Sequence, residues 1–263
     1  MPAMTDLYHY PLLSIFLVSV FVVLASSEIG RWLGVRISRR GGDAVSTLEA
    51  AILGLLALMI GFTFSMALLH FDGRRDAVLN EANTIGSAAL RARLLPPPYG
   101  PESLKLLREY VQIRVDITGR VPSDEGLSAA IDRSNALQEA LWQQAMAAAA
   151  KDNGMVPTGL YVQALNEMID SQEKRLTAVR KRVPNSVLIA LYGVTAVAVA
   201  FTGYASGLEA RHARLPVYLM GILVCAVILL IQDLDRPNIG FVKVSQQPML
   251  DTAAAIAGYH DKP

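Results

Sequence analysis

The stretch that decides the fold is residues 61–75, which read GFTFSMALLHFDGRR. It ends an apolar run that begins near Leu48 and reaches Phe71, and about 20 apolar residues are enough for a helix to cross a bilayer. The charged residues from Asp72 onward follow without a proline or a turn cluster. The sequence therefore predicts that this helix leaves the membrane as a polar rod and links a membrane element mechanically to a soluble domain.

The overall composition indicates a protein that is part membrane and part aqueous. Hydrophobic residues make up 52% of the 263 residues and charged residues 18%, with a mean hydropathy of +0.35. This is too apolar for an ordinary soluble domain and too charged for a protein that lies wholly in the membrane. The net charge of +1 gives no electrostatic reason to expect nucleic acid as a partner.

Four apolar spans, each bounded by charged residues, predict four transmembrane helices. We interpret the first as a retained helix rather than a signal peptide, because the segment before it contains Asp6 and no lysine or arginine. The predicted spans are Pro11–Ser27, Leu48–Phe71, Ser186–Tyr204 and Pro216–Ile231.

Residues 72–183, between the second and third spans, read as a helical soluble domain. The proline run that starts at Pro96 ends the rod, and Ser123 and Thr158 are expected to cap later helices. No alternating pattern indicates a strand. The predicted fold is therefore all-α, with four transmembrane helices and a helical soluble domain inserted between the second and third. The predicted boundaries are residues 1–71, 72–183, 184–234 and an irregular C-terminal tail, 235–263.

An even number of spans places both termini and the soluble domain on one side of the membrane, and positive charge decides which side. Arginines after the first span favour that loop inside, whereas basic residues at both edges of the domain favour the domain inside. Charge alone leaves the orientation open. The arginines after the first span are Arg31, Arg36, Arg39 and Arg40.

The sequence shows no signature of an enzyme or of a bound cofactor. It lacks a phosphate-binding loop, a dinucleotide fingerprint, an HExxH motif and a GxSxG motif. The single cysteine, Cys225, and the scattered histidines give no metal-ligand spacing. We therefore expect no catalytic activity, no cofactor and no metal site. The histidines are His9, His70, His212 and His260.

The second span carries the candidate functional residues. Gly54, Gly61 and Ser65 are small residues that either pack against a neighbouring helix or leave one helix face free for a pore. Leu58 and Phe62 lie four positions apart along the same span. They are core residues in the first case, and in the second they form apolar rings that gate an oligomeric pore by excluding water.

Two further groups lie at the ends of spans. His70 is placed where the second span should meet the lipid headgroups, so it is either an interfacial residue or a titratable group at a pore mouth. Asp235, Arg236 and Pro237 come directly after the fourth span. They either end the helix in solvent or dock the C-terminal tail.

Five short motifs carry a family resemblance: Asp72-Gly73-Arg74-Arg75, Glu81-Ala82-Asn83-Thr84-Ile85-Gly86, Leu94-Leu95-Pro96, Arg182-Val183-Pro184 and Asp233-Leu234-Asp235-Arg236-Pro237. They resemble a group of bacterial and plant membrane proteins with a bestrophin-like domain (the DUF4239 group), which is distantly similar to the bestrophin anion channels. The stretch from Ile60 to Phe62 and its charged extension also resemble the second transmembrane helix of bestrophins. The resemblance covers nearly the whole chain.

The resemblance implies a homo-oligomeric channel, a pentamer in bestrophins, that conducts anions such as chloride. The second helix of each subunit would line one central pore, with the neck positions of the family falling on Gly54, Leu58 and Phe62. Gly54 departs from the bulky apolar residue expected there. The acidic calcium-binding cluster of animal bestrophins is not reproduced after the fourth span, so calcium gating is not implied.

The resemblance also places both termini and the soluble domain in the cytoplasm, with the spans in the bacterial inner membrane. The expected partners are further copies of this chain, the lipid bilayer and small inorganic ions. A second class of function stays open from the residues alone. In it the chain is a non-conducting, membrane-anchored helical scaffold or sensor, whose rod transmits a signal or holds a partner.

Overall fold

The computed structural model describes residues 10–38, 46–119, 124–208, 214–237 and 240–259. All regular elements in these ranges are helical and none is a strand, so the predicted all-α fold is confirmed. A π-helical turn, Met155–Gly159, precedes the fifth α-helix. The α-helices are α1 (Leu12–Ser38), α2 (Ser46–Ala92), α3 (Tyr99–Gly119), α4 (Asp124–Lys151), α5 (Leu160–Arg180), α6 (Asn185–Leu208), α7 (Arg214–Asp235) and α8 (Gln247–Ala257).

Four segments of the described chain are long and apolar enough to cross a membrane, as the sequence predicts, and their apolar parts are α1, α2, α6 and α7. Helix α1 continues well beyond its predicted end at Ser27. Two contacts of polar residues accompany the continuation. Glu28 accepts a hydrogen bond from the Tyr218 hydroxyl of α7, and the Arg36 guanidinium lies 5.2 Å from the centre of the Trp32 ring.

The chain forms two compact units. The first unit comprises Met1–Phe71 and Arg182–Val242, and the second comprises Asp72–Lys181 and Lys243–Pro263. Helices α1, α6 and α7 belong to the first unit together with the part of α2 that ends at Phe71. The rest of α2 belongs to the second unit, with α3, α4, α5 and α8.

Helices α1 and α6 approach each other closely in the first unit. Two glycines on each helix face the backbone of the other, and a Cβ atom added at any of them would collide with main-chain atoms. Small residues let the backbones of two membrane helices come into contact, which replaces lipid packing by dense helix packing. These glycines are Gly30 and Gly34 on α1 and Gly203 and Gly207 on α6.

One side of α2 packs into the apolar core of the first unit. Leu56 and Ala67 are buried in a cluster with residues of α6 and α7. The Thr63 hydroxyl, on the same side, donates a hydrogen bond to the Met59 carbonyl within the helix, so its burial leaves no unsatisfied donor. The partners from α6 and α7 include Leu188, Leu191, Ile228 and Ile231.

The second unit has a separate core to which each of its five helices contributes. Arg108 of α3 donates hydrogen bonds to the carbonyls of Ile256 and Tyr259, which attaches the end of α8 to α3. Representative core residues, in chain order from α2, α3, α4, α5 and α8, are Ile85, Leu107, Leu141, Leu165 and Ile256.

Two local expectations are wrong. Thr158 does not cap α5, because its hydroxyl donates to the Asp152 carbonyl at 2.8 Å inside the turn after α4. The C-terminal tail is not irregular throughout, since Met249 and Ile256 are one helical face of α8 and are buried in the second unit. Ser123 lies outside the described residues, as do Arg39, Arg40, His9, His212 and His260.

Candidate functional site

The residues proposed to line a pore lie together on one exposed face of α2. Leu58 is 54% exposed, Phe62 is 66% exposed, and Gly54 and Ser65 are exposed beside them. Leu69, 67% exposed, continues the face towards the end of the span. Spacings of three, four and seven positions keep these side chains on one side of a helix. We call these five residues the α2 face.

The α2 face is directed away from the core of the first unit. The opposite side of the helix carries Leu56, Thr63 and Ala67, each almost completely buried. Packing on that side fixes the rotation of α2 within the unit, because turning the helix would expose its buried apolar residues. The exposure of Leu58 and Phe62 therefore follows from the fold of the unit.

Two glycines on the exposed side of α2 have no packing role among the residues that the structure describes. A Cβ atom at Gly54 or Gly61 would meet no atom within 4 Å. A glycine inside a helix is less favourable than alanine by about 1 kcal/mol, so contacts within the chain do not explain these two. This contrasts with Gly30 and Gly203, whose backbones touch a partner helix.

His70 lies apart from the α2 face. Its Nδ1 atom is 2.8 Å from Oδ1 of Asp235, and the two side chains are 19% and 1% exposed. The interaction joins α2 to the end of α7 inside the first unit. The proposed position of His70 at a pore mouth stays a prediction. The pairing was not apparent because no sequence periodicity connects residues so far apart.

Asp235 connects three parts of the first unit. One carboxylate oxygen faces His70, and the other accepts a hydrogen bond of 2.7 Å from the backbone N–H of Val183, just before α6. Removing such a carboxylate leaves a buried donor without its acceptor. Arg236 is also buried, and Pro237 is half-buried beside it. The proposed tail-docking role of Asp235, Arg236 and Pro237 stays a prediction.

The chain after α7 is held by a residue that the sequence analysis named only as part of a motif. Asp233 accepts hydrogen bonds from the backbone N–H groups of Phe241 and Val242, each at 2.9 Å. It is 2% exposed. The sequence did contain a clue to this role of Asp233: it is a carboxylate in the last turn of an apolar span, where such a group needs hydrogen-bond donors.

A buried ionic cluster lies in the second unit. The carboxylate of Glu81 on α2 pairs with Arg114 of α3, at 2.7 Å, and with Arg175 of α5. All three side chains are nearly inaccessible to solvent. Sequence reasoning missed this role of Glu81. Its signal was an acidic residue on the apolar stripe of α2 that includes Val78 and Ile85.

Neutral polar groups extend this cluster. The Tyr110 hydroxyl donates to Gln172 at 2.8 Å, and the amide of Gln172 donates to Asn135 at 2.9 Å. Burial, reinforced by the charge of Glu81, raises the pKa of the Tyr110 hydroxyl far above its usual range. Burial also raises the pKa of Tyr161 to about 12. The Tyr110 hydroxyl is therefore neutral at physiological pH and takes part in the network as a hydrogen-bond donor.

Among the residues that the structure describes, no group of three or more histidine, cysteine, aspartate or glutamate side chains could hold a metal ion. The chemistry available on the α2 face is that of the apolar side chains of Leu58, Phe62 and Leu69, the hydroxyl of Ser65 and bare backbone at Gly54. Such a face can pack against a copy of itself or border a water-filled passage.

Four candidate spans, combined with a separate helical unit, define a multi-pass α-helical membrane protein. A family model, the bestrophin-like domain, matches residues 16–249. The chain therefore belongs to the bestrophin-like family, and the resemblance noted in the sequence is confirmed at that level. Membership of the narrower DUF4239 group stays a prediction.

Solved structures of a bacterial bestrophin homolog from Klebsiella pneumoniae share the fold. One of them has a TM-score of 0.67 at 12% identity and covers 95% of this chain and 100% of the homolog. A single-substitution variant of that homolog has a TM-score of 0.68 at 13% identity, covering 94% of this chain and 96% of the other. Identity at this level supports the fold alone. A comparison with curated proteins finds no match.

Proposed function

We propose that this protein is a homo-oligomeric ion channel in which α2 of each subunit lines a central pore. The observation that carries the proposal is the exposed, largely apolar α2 face, where a Cβ atom at Gly54, or at the nearby Gly61, would meet no atom of the described residues within 4 Å. Membership of the bestrophin-like family supports the same assignment. It points to a channel rather than to an enzyme.

A pore formed by α2 requires several copies of the chain. One helix presents one face and cannot enclose a passage, whereas a ring of subunits encloses one at the symmetry axis. Gly54 and Gly61 fit this arrangement, because small residues let neighbouring helices or the chains around a narrow pore come close. The family resemblance favours five subunits. Lipid covers the remaining apolar surface of the spans.

Leu58 and Phe62 would form the narrowest part of the pore. In a symmetric ring their side chains make two successive apolar constrictions, about 6 Å apart along a helix that rises 1.5 Å per residue. Large apolar side chains around a narrow passage exclude water and raise the barrier to ions. Gating would then consist of widening and wetting this constriction.

For the location, we propose the bacterial inner membrane with the second unit and both termini in the cytoplasm. The basic residues at the edges of the second unit support this side. For the ion, the family resemblance implies an anion such as chloride.

The test is Phe62→Ala, measured as single-channel current after reconstitution of the purified oligomer into planar bilayers. Truncating the ring widens the constriction, so we expect conductance or resting leak to rise several-fold. Phe21→Ala is the matched control, because Phe21 is 73% exposed on α1 and lies outside the proposed pore. Its current should equal that of the wild type.

The alternative function is a non-conducting helical scaffold or sensor. In that case Phe62 faces lipid or a partner helix, and neither the wild type nor Phe62→Ala carries current. An assembled Phe62→Ala oligomer with unchanged current would remove Phe62 from the pore. Equal effects of Phe62→Ala and Phe21→Ala would show that the current depends on general packing in the membrane.

A further inference from the structure

A groove runs along the contact between α1 and α6, inside the first unit. Its volume is about 400 Å³. The two helices meet at its floor through Gly30, where an added Cβ atom would collide with the Ala200 carbonyl. Because the backbones touch there, the larger side chains beside the contact form two walls with a furrow between them. The other lining residues are Ile29, Leu33, Ile37, Ala200, Phe201 and Tyr204.

The groove lies in the membrane, close to one of its surfaces. Helix α6 has 24 residues, from Asn185 to Leu208, and none of them is charged. Its length of about 36 Å slightly exceeds the hydrocarbon core of a bilayer, which is about 30 Å thick. Ala200 and Tyr204 lie about 12 and 6 Å before the end of the helix. The groove therefore opens to the acyl chains of lipids next to the headgroup layer.

A cation lies where the groove reaches the membrane surface. Arg36 is exposed and comes two turns after Ile29, within about 20° of the same line along α1. Its guanidinium lies 5.2 Å from the centre of the Trp32 ring, and no carboxylate of the described residues pairs with it. Stacking on the ring restricts the guanidinium without neutralising its charge. Tryptophan and arginine are both suited to the headgroup layer.

We propose that this groove binds an anionic phospholipid of the bilayer, with one acyl chain between α1 and α6 and the phosphate on Arg36. The chain follows the furrow from Ile37 towards Ile29, against apolar side chains. The planar guanidinium donates two parallel hydrogen bonds to the phosphate oxygens. Charge complementarity favours an anionic lipid, because the amine of a zwitterionic lipid already compensates its own phosphate.

The other arginines at this end of the first unit are not beside the groove. Arg31 lies about 140° around α1 from Arg36. Arg214 is the first residue of α7, a helix that does not line the groove. A general attraction of anionic lipid to basic residues would involve Arg214 as much as Arg36, whereas binding in the groove depends on Arg36 alone. Arg214, which is exposed, therefore provides a matched control.

The experiment uses Trp32, one turn before Arg36, as the reporter. The chain has two tryptophans, so Trp142→Phe leaves Trp32 as the only one. The purified protein is reconstituted into phosphatidylcholine vesicles that contain brominated phosphatidylglycerol or brominated phosphatidylcholine, whose bromines quench nearby tryptophan. We expect phosphatidylglycerol to quench at a mole fraction roughly fivefold lower, the preference that one arginine near the membrane surface gives.

Arg36→Gln should reduce this preference nearly to one, and Arg36→Lys should retain part of it because the charge remains. Arg214→Gln should leave it unchanged. Equal quenching of the wild type by the two lipids, or equal effects of Arg36→Gln and Arg214→Gln, would overturn the inference. Recovery of fluorescence on adding inorganic phosphate at matched ionic strength would also overturn it, because a free anion would then be the ligand.

A second pair of variants tests the groove itself. Leu33→Asn places an amide on the groove wall and should weaken quenching by brominated phosphatidylglycerol several-fold, since a polar group beside an acyl chain lacks hydrogen-bond partners. Leu17→Asn is the control, because Leu17 is also exposed on α1 but lies about 160° around the helix from Leu33. Equal quenching of these two variants would place the lipid outside the groove. None of these measurements requires current, so their outcome is independent of the proposed channel.

Discussion

At the scale of single residues, Glu81 is the side chain on which the second unit depends most. It is the acidic centre between two buried guanidinium groups, those of Arg114 and Arg175. A buried ion pair is a weak source of net stability compared with apolar packing. Removing one partner is nevertheless strongly destabilising, because it leaves a charge inside the protein without its counter-charge.

We predict that Glu81→Gln lowers the free energy of unfolding of the second unit by about 3–5 kcal/mol, since two buried cations lose their anion. The measurement is thermal unfolding of the detergent-solubilised protein. The matched control is Glu109→Gln, which breaks the exposed pair with Arg133 and should change stability by about 0–1 kcal/mol. Equal melting temperatures for Glu81→Gln and Glu109→Gln would contradict this role of Glu81.

The link between His70 and Asp235 is the corresponding feature of the first unit. It joins the second and fourth spans through one hydrogen bond, and Asp235 also accepts from the backbone of Val183. Both oxygens of this buried carboxylate have a partner, as expected for a buried polar group. The arrangement gives His70 a structural task that is separate from the α2 face.

At the scale of whole helices, the first unit uses glycine in two different ways. On α1 and α6, glycines lie where backbones touch, so a larger residue has no space there. On α2, and at Gly193 of α6, the position of a Cβ atom is open. The same residue type therefore marks an internal helix contact in one place and an unoccupied surface in another.

This difference predicts opposite outcomes for two substitutions on one helix. Gly203→Ala places a methyl group against the Ser27 carbonyl of α1 and should destabilise the first unit by about 1–3 kcal/mol through overpacking. Gly193→Ala meets no atom within 4 Å and should leave stability unchanged or slightly higher. Thermal unfolding in detergent measures both, and a Gly203→Ala protein as stable as the Gly193→Ala protein would disprove the close contact.

At the scale of the whole molecule, a helix was predictable from the sequence where the pattern of apolar residues within that one segment indicates it. The four spans follow from apolar length. Helical spacing predicted that Leu58 and Phe62 share one side of α2, whereas their exposure depends on how the helix packs in the first unit. The contact of Glu28, in the extension of α1 past Ser27, with Tyr218 of α7 was not predictable, because the two residues are far apart in the sequence.

The features that sequence reasoning missed depend on contacts between distant segments. The pairs Glu81–Arg175 and His70–Asp235 join residues that no local pattern relates. The Thr158 hydroxyl donates to the backbone carbonyl of Asp152 and therefore does not cap the helix that follows. The expectation of a channel comes from family membership, because neither the residue patterns nor the contacts within this chain give it alone. The central claim of the proposed function is that α2 borders a water-filled passage.

The most direct test of that claim is the reaction of Leu58→Cys, in a Cys225→Ala background, with a charged, membrane-impermeant thiol reagent during current recording. Replacing Cys225, which is buried, removes the chain's own thiol from the experiment. A thiol reacts with such reagents only where water allows it to ionise. We predict that the reagent reduces current through the Leu58→Cys oligomer and leaves a Phe21→Cys oligomer unchanged. Current that is unaffected by the reagent at Leu58→Cys, in a protein that conducts, would contradict the claim that α2 lines the pore.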